Sequence, residues 1–149
     1  MDNFTLSAIL NSNNSLNKIK HEGIFLGVFP RDKLPKITKF PACFIFNTDP
    51  HNKKGEHWLA LWVNKNKCAY FFDSSGNNPA IFSLENYLSQ FICWEYNKQK
   101  IQSESSNCGL YCVLFLLYKS HNKLNEFFKE FNNKNNNDIK LKYLLNKFE

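Results

Sequence analysis

Apolar residues in this chain are grouped into short runs that are separated by polar turns. The runs at residues 57–63 and 68–73 enclose the polar turn 64–67, and together they predict an antiparallel hairpin. The apolar runs at 42–47 and 92–96 each have the length of a single strand. The pattern therefore predicts a sheet that contains this hairpin and two further strands.

Helical spacing and capping residues predict the remaining elements. The segment 108–118 is almost wholly apolar, which is typical of a buried helix, and Asn107 before it is a good N-cap residue. Residues 122–131 carry their apolar side chains on one side of a helix. Further helices are predicted at 4–10, at 16–21, at 83–91 with Ser83 as its cap, and from Asp138 onward. The mixture of strands and helices indicates an α+β fold.

Length and composition add three expectations. The 149 residues suffice for one domain, residues 1–149, and a hydrophobic content of 43% with 15 Phe favours a well-packed globule. The formal net charge of +6 would attract polyanions such as DNA, although a merely solvated lysine surface explains it equally well. The chain shows no secretory signal and no apolar run long enough to cross a membrane, which favours an intracellular protein.

The cysteines predict a reduced protein without a metal site. There are five of them, an odd number, and most lie inside apolar segments; they are Cys43, Cys68, Cys93, Cys108 and Cys112. Such usage is typical of free thiols in an intracellular protein. Because no CxxC pair or His/Cys cluster has the spacing of a zinc site, no metal is expected.

Cys108 differs from the other cysteines because a polar loop leads into it and the predicted helix begins at it. At a helix N-terminus, backbone N–H groups lack partners and the helix dipole favours negative charge. Both conditions lower the pKa of a thiol and make it a nucleophile. A cysteine in an apolar helix is otherwise a small core residue, which is the interpretation we give to Cys112.

His57 and Asp73 are the candidate partners of this thiol because they lie at the open end of the hairpin. A three-residue loop centred on Lys65 would place position 57 opposite position 73, and another loop length moves the pairing by about one residue. Asp73 can then orient the imidazole, and His57 can act as the base for Cys108. None of the rival bases heads a strand that is paired with a carboxylate; they are His21, His51 and His121.

The same residues carry a resemblance to a known family. His57-Trp58, Phe72-Asp73 and Gln102 followed six positions later by Cys108-Gly109 resemble the adenovirus protease (adenain) family, of the same clan as the SUMO-specific proteases. The runs Gly-Val-Phe-Pro and Phe-Asp-Ser are especially similar to the capsid-maturation proteases of Polinton/Maverick elements and virophages. Adenovirus enzymes carry a glutamate at the position of Asp73, whereas the SUMO-protease branch carries an aspartate.

The resemblance also implies a further site residue and two candidate cofactors. Gln102 would donate its side-chain amide to the oxyanion, together with the backbone N–H of Cys108. The adenovirus enzyme uses DNA as a cofactor, and a short peptide activates it and can form a disulfide with a cysteine upstream of the glutamine. By resemblance, DNA and an activating peptide are candidate cofactors here, and Cys93 is the candidate site for the peptide.

The sequence thus predicts an α+β cysteine endopeptidase with a papain-like site in permuted order: His57, Asp73, Gln102, Cys108. The resemblance implies a monomer that cuts capsid or virion precursors after a small residue such as glycine. It would act in the host cytoplasm or nucleus and be packaged in the virion. Two alternatives remain open. One is an isopeptidase acting on the Gly-Gly tail of a SUMO-type modifier, and the other is a catalytically silent capsid- or DNA-binding protein of the same fold.

Overall fold

A mixed sheet of five strands is the centre of the computed structural model, which describes residue 10 and residues 13–48, 57–103, 107–132 and 136–148. The strands are β1 (Phe25–Phe29), β2 (Ala42–Asn47), β3 (Trp58–Val63), β4 (Cys68–Phe72) and β5 (Cys93–Tyr96). Their order in the sheet is the order in the chain. The β1–β2 and β4–β5 pairs are parallel, whereas β3 is antiparallel to both of its neighbours. The predicted strands and the predicted hairpin are thereby confirmed.

The described part of the chain also contains five α-helices and two short 3-10 turns. The helices are α1 (Asn14–His21), α2 (Glu85–Leu88), α3 (Cys108–Ser120), α4 (Leu124–Glu130) and α5 (Asn137–Asn146), and the turns are Arg31–Lys33 and Pro79–Phe82. None of the described helices has the length and apolar character that a membrane crossing requires. Helix α3 begins at Cys108, as the apolar pattern predicted.

Both faces of the sheet are buried, which explains why β2 and β3 read as continuous apolar runs. One face packs against α3 and the neighbouring helices, and we call this the helix-side cluster. Within it, Phe115 of α3 stacks on Phe72 of β4 with ring centroids 4.6 Å apart. The other face, the loop-side cluster, is covered by side chains from residues 29–40 and 82–96. The sheet is therefore fixed from both sides, and the ends of its strands form a rigid platform.

Two predicted helix starts are wrong. Ser83 does not cap a helix over 83–91; it adopts a left-handed conformation (φ 57°) that ends the Pro79–Phe82 turn, and only Glu85–Leu88 is helical. Asp138 lies in the first turn of α5 rather than before it, and its carboxylate accepts hydrogen bonds from the Tyr111 hydroxyl and the Ser103 N–H. Apart from Leu10, the predicted helix over 4–10 lies outside the described residues.

The expectation of reduced thiols is wrong for two cysteines. Cys68 and Cys93 occupy paired positions on the parallel strands β4 and β5, and they form a disulfide with a Cα–Cα distance of 4.7 Å. Their separation of 25 residues hid this pairing, because only the strand register brings them together. Cys93 consequently has no free thiol for a disulfide with an activating peptide. The other three cysteines, Cys43, Cys108 and Cys112, are free and buried.

Candidate active site

His57 and Asp73 meet at one end of the β3–β4 hairpin. The Nε2 atom of His57 lies 2.6 Å from Oδ1 of Asp73. The strand register differs from the one predicted: Ala60 pairs with Phe72, so continuing the ladder would place Leu59 opposite Asp73, two residues beyond His57. The loop centre lies one residue later than assumed. Because both residues lie just outside their strands, their side chains can still reach each other diagonally.

The Asp73 carboxylate is buried and held by the turn that follows β4. Asp73 is 0% exposed. Its Oδ1 atom accepts a hydrogen bond from the backbone N–H of Ser75 (2.8 Å) in addition to the contact with His57. The other oxygen, Oδ2, is buried and has no hydrogen-bond partner among the described residues. One oxygen thus fixes the imidazole, and the turn fixes that oxygen.

Cys108 lies beside this pair at the first residue of α3. The backbone N–H of Trp58 donates to its Sγ atom at 3.3 Å, so the residue after the base also contacts the thiol. The His57 ring hydrogen-bonds the same sulfur. Since Nε2 is bonded to Asp73, Nδ1 is the ring nitrogen left for Cys108. Asn107 occupies the N-cap position as predicted, but its side chain makes no capping hydrogen bond.

The pKa values of His57 and Cys108 are shifted in opposite directions. Burial alone would lower the pKa of His57, but its hydrogen bonds with Asp73 and Cys108 raise it to about 9. Burial would raise the pKa of Cys108, but the hydrogen bonds from His57 and from the Trp58 N–H lower it below the usual value. A lowered thiol pKa beside a raised imidazole pKa favours a thiolate–imidazolium ion pair. Cys108 is 1% exposed, so water hardly reaches the thiolate, whereas the His57 side chain is 18% exposed.

The other free cysteines lack this environment. Burial raises the pKa of Cys112, and nearby negative charge from Cys108 and Asp73 raises it further. Burial likewise raises the pKa of Cys43. Both are therefore core thiols, as the sequence predicted for Cys112, and Cys108 is the free cysteine whose thiolate is stabilised.

Gln102 is held next to Asp73 by two serine hydroxyls. Ser74 donates to Oε1 of the Gln102 amide at 2.7 Å, and Nε2 donates to the Ser75 hydroxyl at 2.7 Å. The backbone N–H groups of Ile101 and Gln102 both donate to the Ser74 carbonyl. These bonds fix the amide plane and hence the direction of its second N–H proton. The structure thus brings Gln102 against the Asp73 turn, and its role as an oxyanion donor remains a prediction.

The rival histidines have other positions. His21 is the last residue of α1, and His121 lies at the end of α3, where its ring is 2.8 Å from the Leu117 carbonyl. His51 lies outside the described residues. Among the described residues, no three His, Cys, Asp or Glu side chains come together in a way that could hold a metal ion.

Three residues of this site were not predicted from the sequence: Ser74, Ser75 and Asn97. Both serines directly follow Asp73, so the Asp-Ser-Ser run was a visible signal of a hydrogen-bonded turn. Asn97 clamps the backbone of Asp73 through its side-chain amide. No spacing in the sequence connects positions 73 and 97, because parallel pairing of β4 and β5 brings them together.

Comparisons with known proteins confirm the resemblance to adenovirus-type proteases. The chain is 36% identical over 108 residues to the protease of Bovine adenovirus 4, a match that covers 59% of this chain and 54% of the relative. It is 30% identical over 113 residues to the protease of Human adenovirus D serotype 9, covering 64% and 51%. A mimivirus protein (Acanthamoeba polyphaga mimivirus) whose name describes a thiol protease is 33% identical over 85 residues, covering 49% and 28%. No family model matches the chain.

A solved structure supports the fold. The crystal structure of an ASFV protease superposes with a TM-score of 0.60 at 16% identity, covering 95% of this chain and 66% of that one. The predicted α+β fold, with a central mixed sheet flanked by helices, is thereby confirmed. The chain spans about half the length of the adenovirus relatives that it matches.

Proposed function

We propose that this chain is a cysteine endopeptidase in which Cys108, His57 and Asp73 form the catalytic triad. The observation that carries the proposal is the geometry of the site: His57 contacts Asp73 at 2.6 Å, and Cys108 lies beside them at the first residue of α3. The shifts of two pKa values at this contact support it. The pKa of the Cys108 thiol is lowered while that of the His57 imidazole is raised to about 9. At neutral pH such a pair provides a nucleophile, the Cys108 thiolate, and a general acid, the His57 imidazolium. The similarity to proteases of adenoviruses supports the same chemistry.

The proposed reaction begins with attack of the Cys108 thiolate on the scissile carbonyl carbon. The C–S bond forms as the carbonyl π electrons move to oxygen. The His57 imidazolium then gives its Nδ1 proton to the leaving amine as the C–N bond breaks, which leaves a thioester. In the second half, neutral His57 takes a proton from water while the hydroxide adds to the thioester carbon. Expulsion of the thiolate restores the ion pair, with Asp73 holding the ring throughout.

Two groups are proposed to bind the oxyanion: the backbone N–H of Cys108 and the amide of Gln102. The first turn of a helix has N–H groups without intrahelical partners, which suits them to a developing negative charge. A neutral amide is suited to the second position because it adds no charge that competes with the imidazolium. Its clamp by Ser74 and Ser75 supports this role, because a preorganised donor costs no reorganisation during the reaction.

The proposed substrates are viral or mobile-element structural proteins, namely capsid or virion precursors cut after a small residue. The support is the similarity to proteases from viruses. The net charge of +6 also keeps DNA as a proposed cofactor. The alternative of a SUMO-type isopeptidase uses the same machinery, so substrate choice must be tested directly.

The test compares the wild type with Cys108→Ala and with Cys112→Ala, a cysteine one helical turn further along α3. Each protein is incubated with a pooled peptide library, with co-expressed capsid precursors and with a SUMO-type fusion, with and without DNA. We expect cleavage of peptides and precursors by the wild type and by Cys112→Ala, and none by Cys108→Ala. Cleavage of the SUMO-type fusion alone would favour the isopeptidase. Identical behaviour of all three proteins would support the silent binding protein.

A further inference from the structure

We propose that Asn97 is a positioning residue that holds Asp73 at the distance from His57 that the triad needs. This inference rests on the proposed function, because it assigns a role within the same site. Asn97 does not touch the reacting atoms; it acts through the backbone of Asp73.

The clamp consists of hydrogen bonds to both backbone groups of one residue. The N–H of Asp73 donates to Oδ1 of Asn97 at 2.9 Å, and Nδ2 of Asn97 donates to the Asp73 carbonyl at 2.5 Å. A third bond joins Nδ2 to the Gln99 carbonyl at 3.1 Å. Asn97 is only 3% exposed, so water does not compete for these bonds. A carboxamide suits this place because it carries a donor and an acceptor, as a peptide group does.

The position of the clamp explains why it is needed. The β4–β5 ladder ends at the pair Phe71–Tyr96, and Asn97 directly follows the last residue of β5. Asp73 lies one residue beyond the end of β4, where the ladder no longer supplies backbone partners. The Asn97 side chain thus gives the backbone of Asp73 the two hydrogen bonds that a further residue of a paired strand would have given it.

The clamp also joins the two loops that carry the acid and the glutamine. A Cβ atom at Gly76, in the Asp73 turn, would lie 2.8 Å from backbone atoms of Gln99 and Lys100. The backbone N–H of Gln102 donates to the carbonyl of Ser74 at 3.1 Å. The loop after β5 therefore packs tightly against the turn after β4, and Asn97 is the residue at which this contact begins. Loss of the clamp would displace Asp73 and weaken its contact with His57.

The test measures two quantities as functions of pH: the rate of Cys108 alkylation by iodoacetamide, and kcat/KM for a peptide that the wild type cleaves. The variants are Asn97→Ala and Asn97→Ser, since a serine hydroxyl keeps one of the two bonds. The matched control is Asn13→Ala, which removes another buried asparagine that bonds the backbone, at the N-cap of α1. Folding of each variant is checked by near-UV circular dichroism.

For Asn97→Ala we expect a roughly 10- to 100-fold lower kcat/KM, the effect of a misplaced catalytic group, with KM little changed. The alkaline limb of kcat/KM should move to lower pH and the acidic limb of the alkylation profile to higher pH, with smaller shifts for Asn97→Ser and none for Asn13→Ala. The proposal is overturned if a folded Asn97 variant has both pH profiles with their limbs at the same pH as in the wild type. Failure of both Asn97 variants to fold would also overturn it, because the residue would then be structural. A wild type without alkylation near neutral pH would instead contradict the proposed triad.

Discussion

Replacing Asp73 by asparagine separates the charge of the carboxylate from its shape. In Asp73→Asn, the amide oxygen can take the place of Oδ1 and still accept from the Ser75 N–H and the His57 ring. The amide nitrogen then takes the place of Oδ2, which has no hydrogen-bond partner among the described residues, so no existing bond is lost. The variant is therefore expected to fold, and its effect on the site should be electrostatic.

The size of the effect follows from the pKa of His57. That pKa is raised from 6.5 to about 9, and Asp73 is the first of the two partners that raise it. One pKa unit corresponds to about 1.4 kcal/mol, so the net stabilisation of the imidazolium, after the opposing effect of burial, is roughly 3 kcal/mol. If Asp73 supplies at least half of this, the variant should lower the pKa of His57 by about 1 to 2 units. The weaker imidazolium should also raise the pKa of Cys108.

The assay is the pH dependence of kcat/KM and of Cys108 alkylation. His57 loses its proton as the pH rises through its pKa, so the general acid disappears on the alkaline side. The alkaline limb should therefore lie near pH 9 in the wild type and at roughly pH 7 to 8 in Asp73→Asn. The acidic limb, where the thiolate takes up a proton, should move upward. An alkaline limb that stays near 9 in the folded variant would refute Asp73 as the group that holds the proton on His57.

Three further predictions concern the turn, the disulfide and the glutamine. Gly76→Ala should lower the free energy of unfolding by more than Gly23→Ala in urea titrations, because both glycines have positive φ but only Gly76 meets backbone atoms at 2.8 Å; equal losses would contradict the tight loop contact. Replacing Cys68 and Cys93 by serine should cost roughly 3.5 kcal/mol, by the loop-entropy relation for 25 residues, and should abolish the destabilisation by dithiothreitol that we expect of the wild type. Gln102→Ala should lower kcat by about 10²- to 10³-fold while alkylation of the thiol keeps its rate, and an unchanged kcat would exclude the amide as an oxyanion donor.

The sequence predicted those parts of the fold and site that depend on neighbouring residues. The start of α3 at Cys108 followed from a polar loop that meets an apolar run, and the hairpin followed from two apolar runs around a polar turn. The contact between His57 and Asp73 was anticipated although the assumed register was wrong. The contact survives this difference of register because both residues lie beyond the ends of their strands, where the histidine side chain can reach diagonally across to the carboxylate.

Two features that the sequence did not predict depend on the β4–β5 pairing. The Cys68–Cys93 disulfide and the Asn97 clamp on Asp73 both arise because β5 lies parallel to β4. A parallel pair needs a crossover, and the intervening residues carry no local signal of the register. The prediction for Ser83 failed for a different reason: its left-handed backbone ends the Pro79–Phe82 turn, and the spacing of apolar residues does not reveal that turn.

The arrangement of the two hydrophobic clusters has a consequence for how the protein emerges from the ribosome. Every member of the loop-side cluster lies at or before residue 96, so that layer can be completed while the chain is still being made. The helix-side cluster needs residues up to 148, and the face of the sheet that it covers stays open until α3 and the later helices have been synthesised. Domains generally fold as their N-terminal parts become available. Cys108 would therefore join its base and acid only after the layer on the other face of the sheet can form, so the sheet is the template on which the site is assembled.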